Sequence, residues 1–395
     1  MKQVIVIADD LTGAADAGVC FTRAGLSVVL ALSSENNLLA DVLVYSTESR
    51  HLQEPEARKR TRQAADQAKE AAYIYKKMDS TLRGFPGFEL AELMDALEVE
   101  KVLVAPAYPA QGRTTISGIQ LINGIPIEHT SFQNEVLSSD LVPLFRSCNR
   151  PIRTISLDTL RSNQTKTQNV FNTEGPAVII GDAETDVDLQ ILVNLAIESD
   201  IRMFCGSAGL ATALADRFPA RYSFADLVTF QKQKGSILVI AGSRNSVTAG
   251  QVATARDLGI FVVELDFQHE EKSIWDSTIN EVAIHLTLGQ DVIITTSNSK
   301  DSPLGPMAVA ERLAQLANFL VSTQKIGGLI LTGGDIAMAV ISMLRSSGVK
   351  LYGEFLPGIP LGIVMGGIQP DLPILTKAGG FGSKDALFTG IQFLK

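Results

Sequence analysis

Charged and polar residues that can bind a small anion and its hydroxyl groups follow several apolar runs in the first half of the chain. Asp9 and Asp10 come directly after the run VIVIA, and Arg50 follows the run VLVYS. The stretch KKMDSTLRG places Lys77 and Asp79 between two apolar segments. Arginine pairs with a carboxylate through two parallel hydrogen bonds, and carboxylates accept hydrogen bonds from hydroxyl groups. These residue types suit a small acid with several hydroxyl groups.

Two further residues extend this set, Ser80 in KKMDSTLRG and Arg113 in PAYPAQGRTT. Any one of these residues, taken alone, is better explained as a helix cap or a solvated side chain. The crowding of Lys, Asp, Ser, Thr and Arg into one segment between apolar stretches favours a binding site at KKMDSTLRG.

Three segments after residue 235 run from an apolar strand through a glycine-containing turn into a helix. They read ILVIAGSRNSVTAGQV, LILTGGDIAMAVISML and ILTKAGGFGSKDALFTGI. Glycine at such a turn allows a phosphate to approach the backbone, where the helix N-terminus offers free N–H groups. Gly380 is expected to have this role at the start of the final helix. Because such turns share one edge of a parallel sheet, the three together predict a polyphosphate site.

Other common chemistries lack their required residues. No strand is followed by G-x-G-x-x-G, and G-x-x-x-x-G-K-[ST] is absent, which disfavours a Rossmann dehydrogenase and a P-loop enzyme. The segment CGSAGLA has Cys205 where a hydrolase nucleophile elbow requires glycine. The four histidines show neither H-E-x-x-H nor a zinc-binding spacing.

The elements that position these residues alternate along the chain. Val- and Ile-rich runs such as QVIVIA, DVLVYS, KVLVAP and SILVIA are separated by helical stretches such as EPEARKRTRQAADQAKE. Continuous apolar runs indicate strands covered on both faces, which is typical of parallel α/β sheets. The interruption at about residues 217–235 separates the two halves. We therefore predict an α/β fold with two doubly wound, mainly parallel sheet domains, 1–232 and 233–395, and a cleft between them.

Composition narrows the class of protein. The chain has 395 residues, 46% of them hydrophobic, and a formal net charge of −9. No apolar run reaches the roughly 18 residues that span a bilayer, and no basic tract suggests nucleic acid. The three cysteines have no paired spacing. These features predict a soluble cytoplasmic protein without a membrane or nucleic-acid partner, and they leave its oligomeric state open, a homo-oligomer included.

The sequence also resembles a known family, the four-carbon acid sugar kinases, along nearly its whole length. The motifs that carry the resemblance are IADDLTGAAD, KKMDSTLRG, PAYPAQGRTT with NGIPI, CGSAGLA, AGS, LTGGD and KAGGFGSKDAL. The resemblance implies an N-terminal sugar-acid-binding domain and a C-terminal nucleotide-binding domain. It also implies transfer of phosphate from ATP, with Mg2+, to the 4-hydroxyl group of a four-carbon sugar acid, with D-threonate or D-erythronate preferred.

The matching motifs also imply which residues contact the substrate and ATP. The resemblance implies substrate contacts at Asp9, Asp10, Arg50, Lys77, Met78, Asp79 and Ser80, to which the residue types add Arg113. It implies ATP contacts at Ser243, Gly333, Gly334, Asp335, Ile336, Gly379 and Gly380. Asp10 and Asp79 are the candidate catalytic residues, and the choice between carboxylates as the base stays open, as do the metal ligands.

Two alternatives remain at this point. One is a kinase that acts on a 3-oxo-tetronate or another small hydroxy acid in the same site. The other is a sensor that binds a nucleotide and a sugar acid without turnover, for which the KKMDSTLRG cluster would be superfluous.

Overall fold

The computed structural model describes residues 3–32, 38–136, 138–222, 231–243, 245–267, 272–296 and 304–395, and the side chains of 272–276 lie outside this description. The chain forms two compact units. Unit 1 comprises Met1–Val28 and Leu38–Tyr222, and unit 2 comprises Val29–Asn37 and Ser223–Lys395. The predicted interruption at 217–235 lies partly outside the described residues.

Unit 1 contains a parallel sheet of continuously apolar strands. Its strands are β1 (Val4–Ala8), β3 (Val42–Ser46), β4 (Tyr73–Lys77), β5 (Lys101–Ala105), β9 (Ile152–Ile155), β10 (Ala177–Gly181) and β11 (Met203–Gly206). They lie in the order β3-β1-β4-β11-β5-β10-β9, and every neighbouring pair is parallel. Ala8 is in register with both Ser46 and Lys77, so β1, β3 and β4 end level with one another.

Helices connect these strands, as parallel pairing requires. They are α1 (Leu11–Arg23), α2 (Glu54–Ala65), α3 (Pro86–Ala96), α4 (Leu141–Leu144), α5 (Leu157–Ser162), α6 (Gln164–Phe171), α7 (Asp186–Glu198) and α8 (Ala208–Ala215). Short 3-10 turns occur at Asp66–Ala68, Pro109–Gln111, Ile127–His129 and Arg146–Cys148. Helix α1 begins directly after the first strand because Asp10 caps it, accepting a hydrogen bond from the Gly13 N–H at 2.7 Å.

A small antiparallel sheet also belongs to unit 1. It consists of β6 (Arg113–Ile116), β7 (Ile119–Ile122) and β8 (Ile125–Pro126), paired in sequence order. This sheet follows the PAYPAQG segment and carries Arg113 at its first position.

Unit 2 contains a mixed sheet. Its strands are β12 (Ser236–Ala241), β13 (Phe261–Leu265), β14 (Val292–Thr296), β15 (Ile326–Thr332), β16 (Gly348–Leu356), β17 (Ile359–Met365) and β18 (Pro373–Lys377). The order is β13-β14-β12-β15-β18-β17-β16, parallel from β13 to β18 and antiparallel thereafter. Strand β2 (Val28–Ala31), which comes early in the chain, borders β16.

The helices of unit 2 pack on this sheet. They are α9 (Ser246–Asp257), α10 (Lys272–Thr287), α11 (Pro306–Thr323), α12 (Gly334–Met343) and α13 (Ala386–Leu394). One fully buried cluster joins Val252 of α9 and Leu387 of α13 to Ile330 of β15 and Leu375 of β18. The register pairs Ala241 with Thr332, and Thr332 with Lys377, so β12, β15 and β18 also end level.

The structure confirms the predicted α/β class with mainly parallel sheets. It adds features that the sequence reading missed, namely the antiparallel strands β16 and β17, the small β6–β8 sheet and the distant strand β2. In the part of the chain that the structure describes, no helix is long and apolar enough to cross a bilayer.

Candidate active site

Arg50 connects the acid pair at the end of β1 to the loop after β3. Its Nε and Nη2 donate to the two carboxylate oxygens of Asp9, both at 2.8 Å, and its Nη1 donates to Asp10 Oδ2 at 2.6 Å. The level ends of β1 and β3 place the three residues together. Three of the five N–H groups of Arg50 therefore donate hydrogen bonds to carboxylates of the protein itself.

These charges shift one another's ionisation. Burial opposes ionisation of Asp9, but Arg50, Lys76 and Lys77 together hold the pKa of Asp9 below its ordinary value. Burial, helped by repulsion from Asp9, raises the pKa of Asp10 despite the attraction of Arg50. Burial also disfavours the charged form of Arg50, yet the neighbouring carboxylates raise the pKa of Arg50 well above its usual range. Of the adjacent pair, Asp10 is thus the stronger proton acceptor.

Lys77, the last residue of β4, lies beside the first turn of α1. Its side chain is buried, and Nζ donates to the carbonyl of Met78 at 2.9 Å. A Cβ built on Gly13 would lie 3.1 Å from Lys77 Nζ and 3.5 Å from Arg50 Nη2. The absence of a side chain at Gly13 therefore lets the helix approach both cations.

Asp79 and Arg83 form a second ion pair in the KKMDSTLRG segment. Arg83 Nε and Thr81 Oγ1 each donate to Asp79 Oδ2 at 2.5 Å. Burial opposes ionisation of Asp79, but Arg50 and Arg83 lower the pKa of Asp79 below its ordinary value. Ser80, which is half-buried, accepts a hydrogen bond at its carbonyl from Gln120 Nε2 at 3.0 Å. Asp79 is accordingly a permanent negative charge at neutral pH.

A fully buried ion pair joins Lys76, the first residue of the KKMDSTLRG segment, to Glu89. Lys76 Nζ lies 2.7 Å from Glu89 Oε2, and Ser49 Oγ donates to Glu89 Oε1 at 2.7 Å. The Met78 side chain is buried, and its backbone N–H donates to the carbonyl of Gly206 at 2.9 Å. Met78, predicted to contact substrate, thus has a packed side chain and an engaged main chain.

Arg113 lies at the start of β6 and is half-buried. Its Nη1 donates to the carbonyl of Gln111 at 3.0 Å. Its Nε is buried without a hydrogen-bond partner among the described residues. A buried guanidinium N–H that lacks an acceptor is costly, so this group is suited to an anionic ligand.

Asp16 is a charged residue that the sequence reading did not include. It lies one turn after Gly13 on the same face of α1, and Lys77 and Asp79 are among the charges that act on it. Burial raises the pKa of Asp16. Its helical spacing from Gly13 is a signal that an amphipathic analysis of α1 would have found.

The first and third glycine loops of unit 2 touch each other. A Cβ built on Gly379 would lie only 2.0 Å from Ser243 Oγ. The carbonyl of Gly379 accepts a hydrogen bond from Thr248 Oγ1 at 2.8 Å. Gln251 Nε2 donates to the carbonyls of Phe381, Gly382 and Ser383 at 2.8–3.1 Å. Helix α9 therefore holds the third loop against the first.

The second glycine loop joins them at the end of β15. Gly333 has a φ of +97°, and its N–H donates to the carbonyl of Lys377 at 2.9 Å. Gly334 and the exposed Asp335 begin α12, which has no side-chain cap at its N-terminus. Ile336 is buried and would contact a Cβ on Gly242 at 2.7 Å. All three predicted loops thus meet at one edge of the unit 2 sheet.

Gly380 differs from its expected setting. The final helix begins at Ala386, not at Gly380. Gly380 has no positive φ, and a Cβ there would meet only Asn245 Nδ2, at an ordinary 3.5 Å. The positive φ in this loop belongs to Gly382, at +86°. Helix α13 thus begins six residues later than expected. The residue of this loop that requires the absence of a side chain is Gly379, where a Cβ would lie 2.0 Å from Ser243 Oγ.

Metal ligands do not form a ready-made cluster in the described ranges: no group of three or more His, Cys, Asp or Glu side chains is arranged to hold an ion. Magnesium in nucleotide sites takes most of its ligands from phosphates and water and needs only one or two carboxylates. The donor set is therefore compatible with magnesium that arrives with a nucleotide.

Family models match both units. The model of a sugar-binding N-terminal domain matches residues 4–214, and the model of a nucleotide-binding C-terminal domain matches residues 238–387. A solved structure from Salmonella typhimurium LT2 has a TM-score of 0.85 at 21% identity and covers 100% of both chains. At this identity the likeness concerns the fold.

Curated relatives extend over the whole chain. A D-threonate kinase of Salmonella typhimurium is 32% identical, with 100% of this chain and 98% of the relative covered. A D-erythronate kinase of Heliobacterium modesticaldum is 27% identical, with 100% and 97% covered. The chain is therefore an enzyme that belongs to the four-carbon acid sugar kinase family.

Proposed function

We propose that the protein transfers the γ-phosphoryl group of ATP to the 4-hydroxyl group of a four-carbon sugar acid, with D-threonate as the preferred substrate and D-erythronate next. The observation that carries this proposal is the arrangement of Asp9, Asp10, Arg50 and Lys77 around Gly13, which offers both charges and hydrogen-bond acceptors to a hydroxy acid. The greater identity to a D-threonate kinase supports the order of substrates.

The work is divided between the two halves of the chain. Residues 1–232 bind the sugar acid, and residues 233–395 bind the nucleotide. The ion-paired cluster at the ends of β1, β3 and β4 supports the first assignment. The contact between Ser243 and Gly379, with the uncapped start of α12, supports the second, since free backbone N–H groups bind phosphate.

Within the acid site, Arg113 is the best candidate to bind the substrate carboxylate. Its buried Nε lacks an acceptor among the described residues, whereas Arg50 already holds Asp9 and Asp10. Two N–H groups of Arg50 remain for the substrate. Lys77 and Ser80 contribute further hydrogen bonds to its hydroxyl groups.

Asp10 is the proposed general base. The 4-hydroxyl oxygen forms a bond to the γ-phosphorus, the bond from that phosphorus to the β-phosphate bridging oxygen breaks, and the hydroxyl proton passes to the Asp10 carboxylate. A raised pKa improves a carboxylate as a proton acceptor. Asp79 has a lowered pKa and an arginine partner, so it positions substrate and balances charge. The loose transition state of phosphoryl transfer makes such positioning the main requirement.

ATP binds at the edge formed by Ser243, Gly333, Gly334 and Gly379, and magnesium accompanies it. The exposed Asp335 in the first turn of α12 would offer a carboxylate to magnesium that is bound with the nucleotide. Magnesium supplies charge neutralisation to the phosphates during transfer.

A coupled assay of ADP release tests the proposal. The purified enzyme with MgATP would be offered D-threonate, L-threonate, D-erythronate, L-erythronate and the 3-oxo-tetronates in turn. We expect ADP release that depends on the acid, with the highest kcat/KM for D-threonate and a product phosphorylated at O4 by NMR. A higher kcat/KM for a 3-oxo-tetronate would reassign the substrate, and ADP release that no acid stimulates would contradict the function.

A further inference from the structure

Lys377 is the last residue of β18 and is 3% exposed. Its Nζ donates to Thr248 Oγ1 at 3.2 Å and to the carbonyls of Ala378 at 3.1 Å and Gly379 at 3.3 Å. The ammonium group therefore lies inside the third glycine loop, at the point where this loop meets α9.

Among the residues that the structure describes, the charge of Lys377 has no counter-charge. All three of its acceptors are neutral, and no carboxylate in the described ranges forms an ion pair with it. The charged residues of the adjoining loops that the structure describes are Asp335, Lys384 and Asp385, and all three are exposed to solvent. Burial lowers the pKa of Lys377 to about 8. A buried cation that lacks an anion is costly, which indicates that an anion completes this site.

Thr332 gives a second, independent sign of an unfilled site. It ends β15 and is in register with Lys377, so the two side chains share a face of the sheet. Ile330 and Leu375, two residues earlier on the same face, pack in the cluster that contains Val252 of α9. The Thr332 hydroxyl is buried and has no hydrogen-bond partner among the described residues.

We propose that the Lys377 ammonium group binds phosphate oxygens of the nucleotide, with the Thr332 hydroxyl beside it as a further donor. The inference rests on the proposed nucleotide site and adds to its backbone N–H groups a buried cation, Lys377. Gly333 and Gly379 allow a phosphate group to approach the backbone. The buried ammonium group of Lys377 then offsets the negative charge of that phosphate.

Calorimetric titration of ADP and of adenosine tests the inference, with the magnesium concentration held constant. Lys377→Met keeps an unbranched side chain that is one heavy atom shorter and removes the charge. We expect ADP to bind at least tenfold more weakly to this variant, while adenosine affinity stays within twofold of wild type. Lys377→Arg should recover part of the ADP affinity. Lys325→Met is the matched control, because Lys325 is exposed and precedes β15 at the opposite edge of the sheet.

The outcomes separate this inference from the function on which it rests. If wild-type protein binds ADP and Lys377→Met binds it equally well, the inference is wrong and the nucleotide site stands. An equal loss of adenosine and ADP affinity would make Lys377 a structural residue. If wild-type protein binds neither ligand, the proposed function fails and the inference with it.

Should Lys377→Met fail to fold in a thermal melt, the wild-type protein still decides the question. ADP carries a constant charge above about pH 7.5, so its affinity should fall between pH 7.5 and 9.5 as Lys377 loses its proton. An ADP affinity that is unchanged over this range would overturn the inference.

Discussion

Arg50 and Asp9 form a two-point ion pair, with both N–O distances at 2.8 Å and side chains that are 9% and 4% exposed. Removing one partner of a buried pair leaves an uncompensated charge, which costs about 3–5 kcal/mol. We expect Arg50→Ala to lose free energy of unfolding of this order in urea denaturation, along with most activity. The matched control for Arg50→Ala is Arg58→Ala. Arg58 pairs with Glu54 and Glu92, but its side chain is 42% exposed. Such a surface ion pair contributes roughly 0–1 kcal/mol to the free energy of unfolding. Equal stability changes in the two variants would contradict a central role for Arg50.

Gly13 is predicted to be intolerant of a side chain. A Cβ there would lie 2.6 Å from Asp10 Oδ1 and 3.1 Å from Lys77 Nζ. Gly13→Ala should therefore displace the acid site and lower kcat/KM for the sugar acid by about tenfold to a hundredfold. The KM for ATP should remain near the wild-type value.

Gly250 of α9 provides the matched control for Gly13, since it too is a helical glycine. Beyond its chain neighbours and the backbone of its own helix, a Cβ at Gly250 would meet no described atom within 4 Å. Gly250→Ala should keep full activity and gain about 0.5–1 kcal/mol of stability from helix propensity. Full activity in Gly13→Ala would show that α1 can move away from Asp10 and Lys77 without cost.

Gly379 and Gly380 should respond differently to the same substitution. A Cβ at Gly379 would lie 2.0 Å from Ser243 Oγ, whereas one at Gly380 would make an ordinary contact at 3.5 Å. We expect Gly379→Ala to weaken ATP binding by at least tenfold and Gly380→Ala to change it less than threefold. Calorimetry with a thermal melt of each variant checks this. The reverse order would show that the nucleotide approaches the backbone at Gly380.

We predict that Asp10 is the general base and that Asp79 is not. Asp10→Asn should lower kcat by about 10²–10⁴ while ATP affinity is unchanged. Since burial raises the pKa of Asp10 and the base must be deprotonated, wild-type kcat should fall as the pH drops through that pKa. A steady-state pH profile measures both effects. If Asp16→Asn loses kcat while Asp10→Asn keeps it, the base is Asp16.

Lys377 should also affect stability without any ligand. Its pKa is lowered to about 8 in the folded protein, while in the unfolded chain it has the ordinary value near 10.5. Between these values the unfolded chain binds more protons, so this group makes the folded protein more stable as the pH rises. The melting temperature of wild type relative to Lys377→Met should therefore increase from pH 8 to 10. A constant difference would show that Lys377 is not desolvated.

Local patterns in the sequence were enough for the fold class and for the positions of the polar clusters. Continuous apolar runs such as VIVIA and SILVIA predicted parallel strands, because strands covered on both faces cannot alternate with polar residues. Asp9, Asp10 and Arg50 were recognised because they follow apolar runs, and the level ends of β1 and β3 bring them together. The glycine turns after β12, β15 and β18 were expected to converge because parallel strands end at one edge of a sheet.

Only the tertiary structure decided which partner each charge takes. Sequence spacing cannot tell whether Arg50 faces a ligand or Asp9, since the two are 41 residues apart and meet through sheet register. The same holds for Lys377, whose isolation from carboxylates depends on how α9 packs against the third loop. Strand β2 beside β16 and the antiparallel turn at β16–β17 were also missed, because they rest on long-range pairing. Local sequence determines where strands and turns form, whereas burial and ion pairing depend on residues that are distant in the chain.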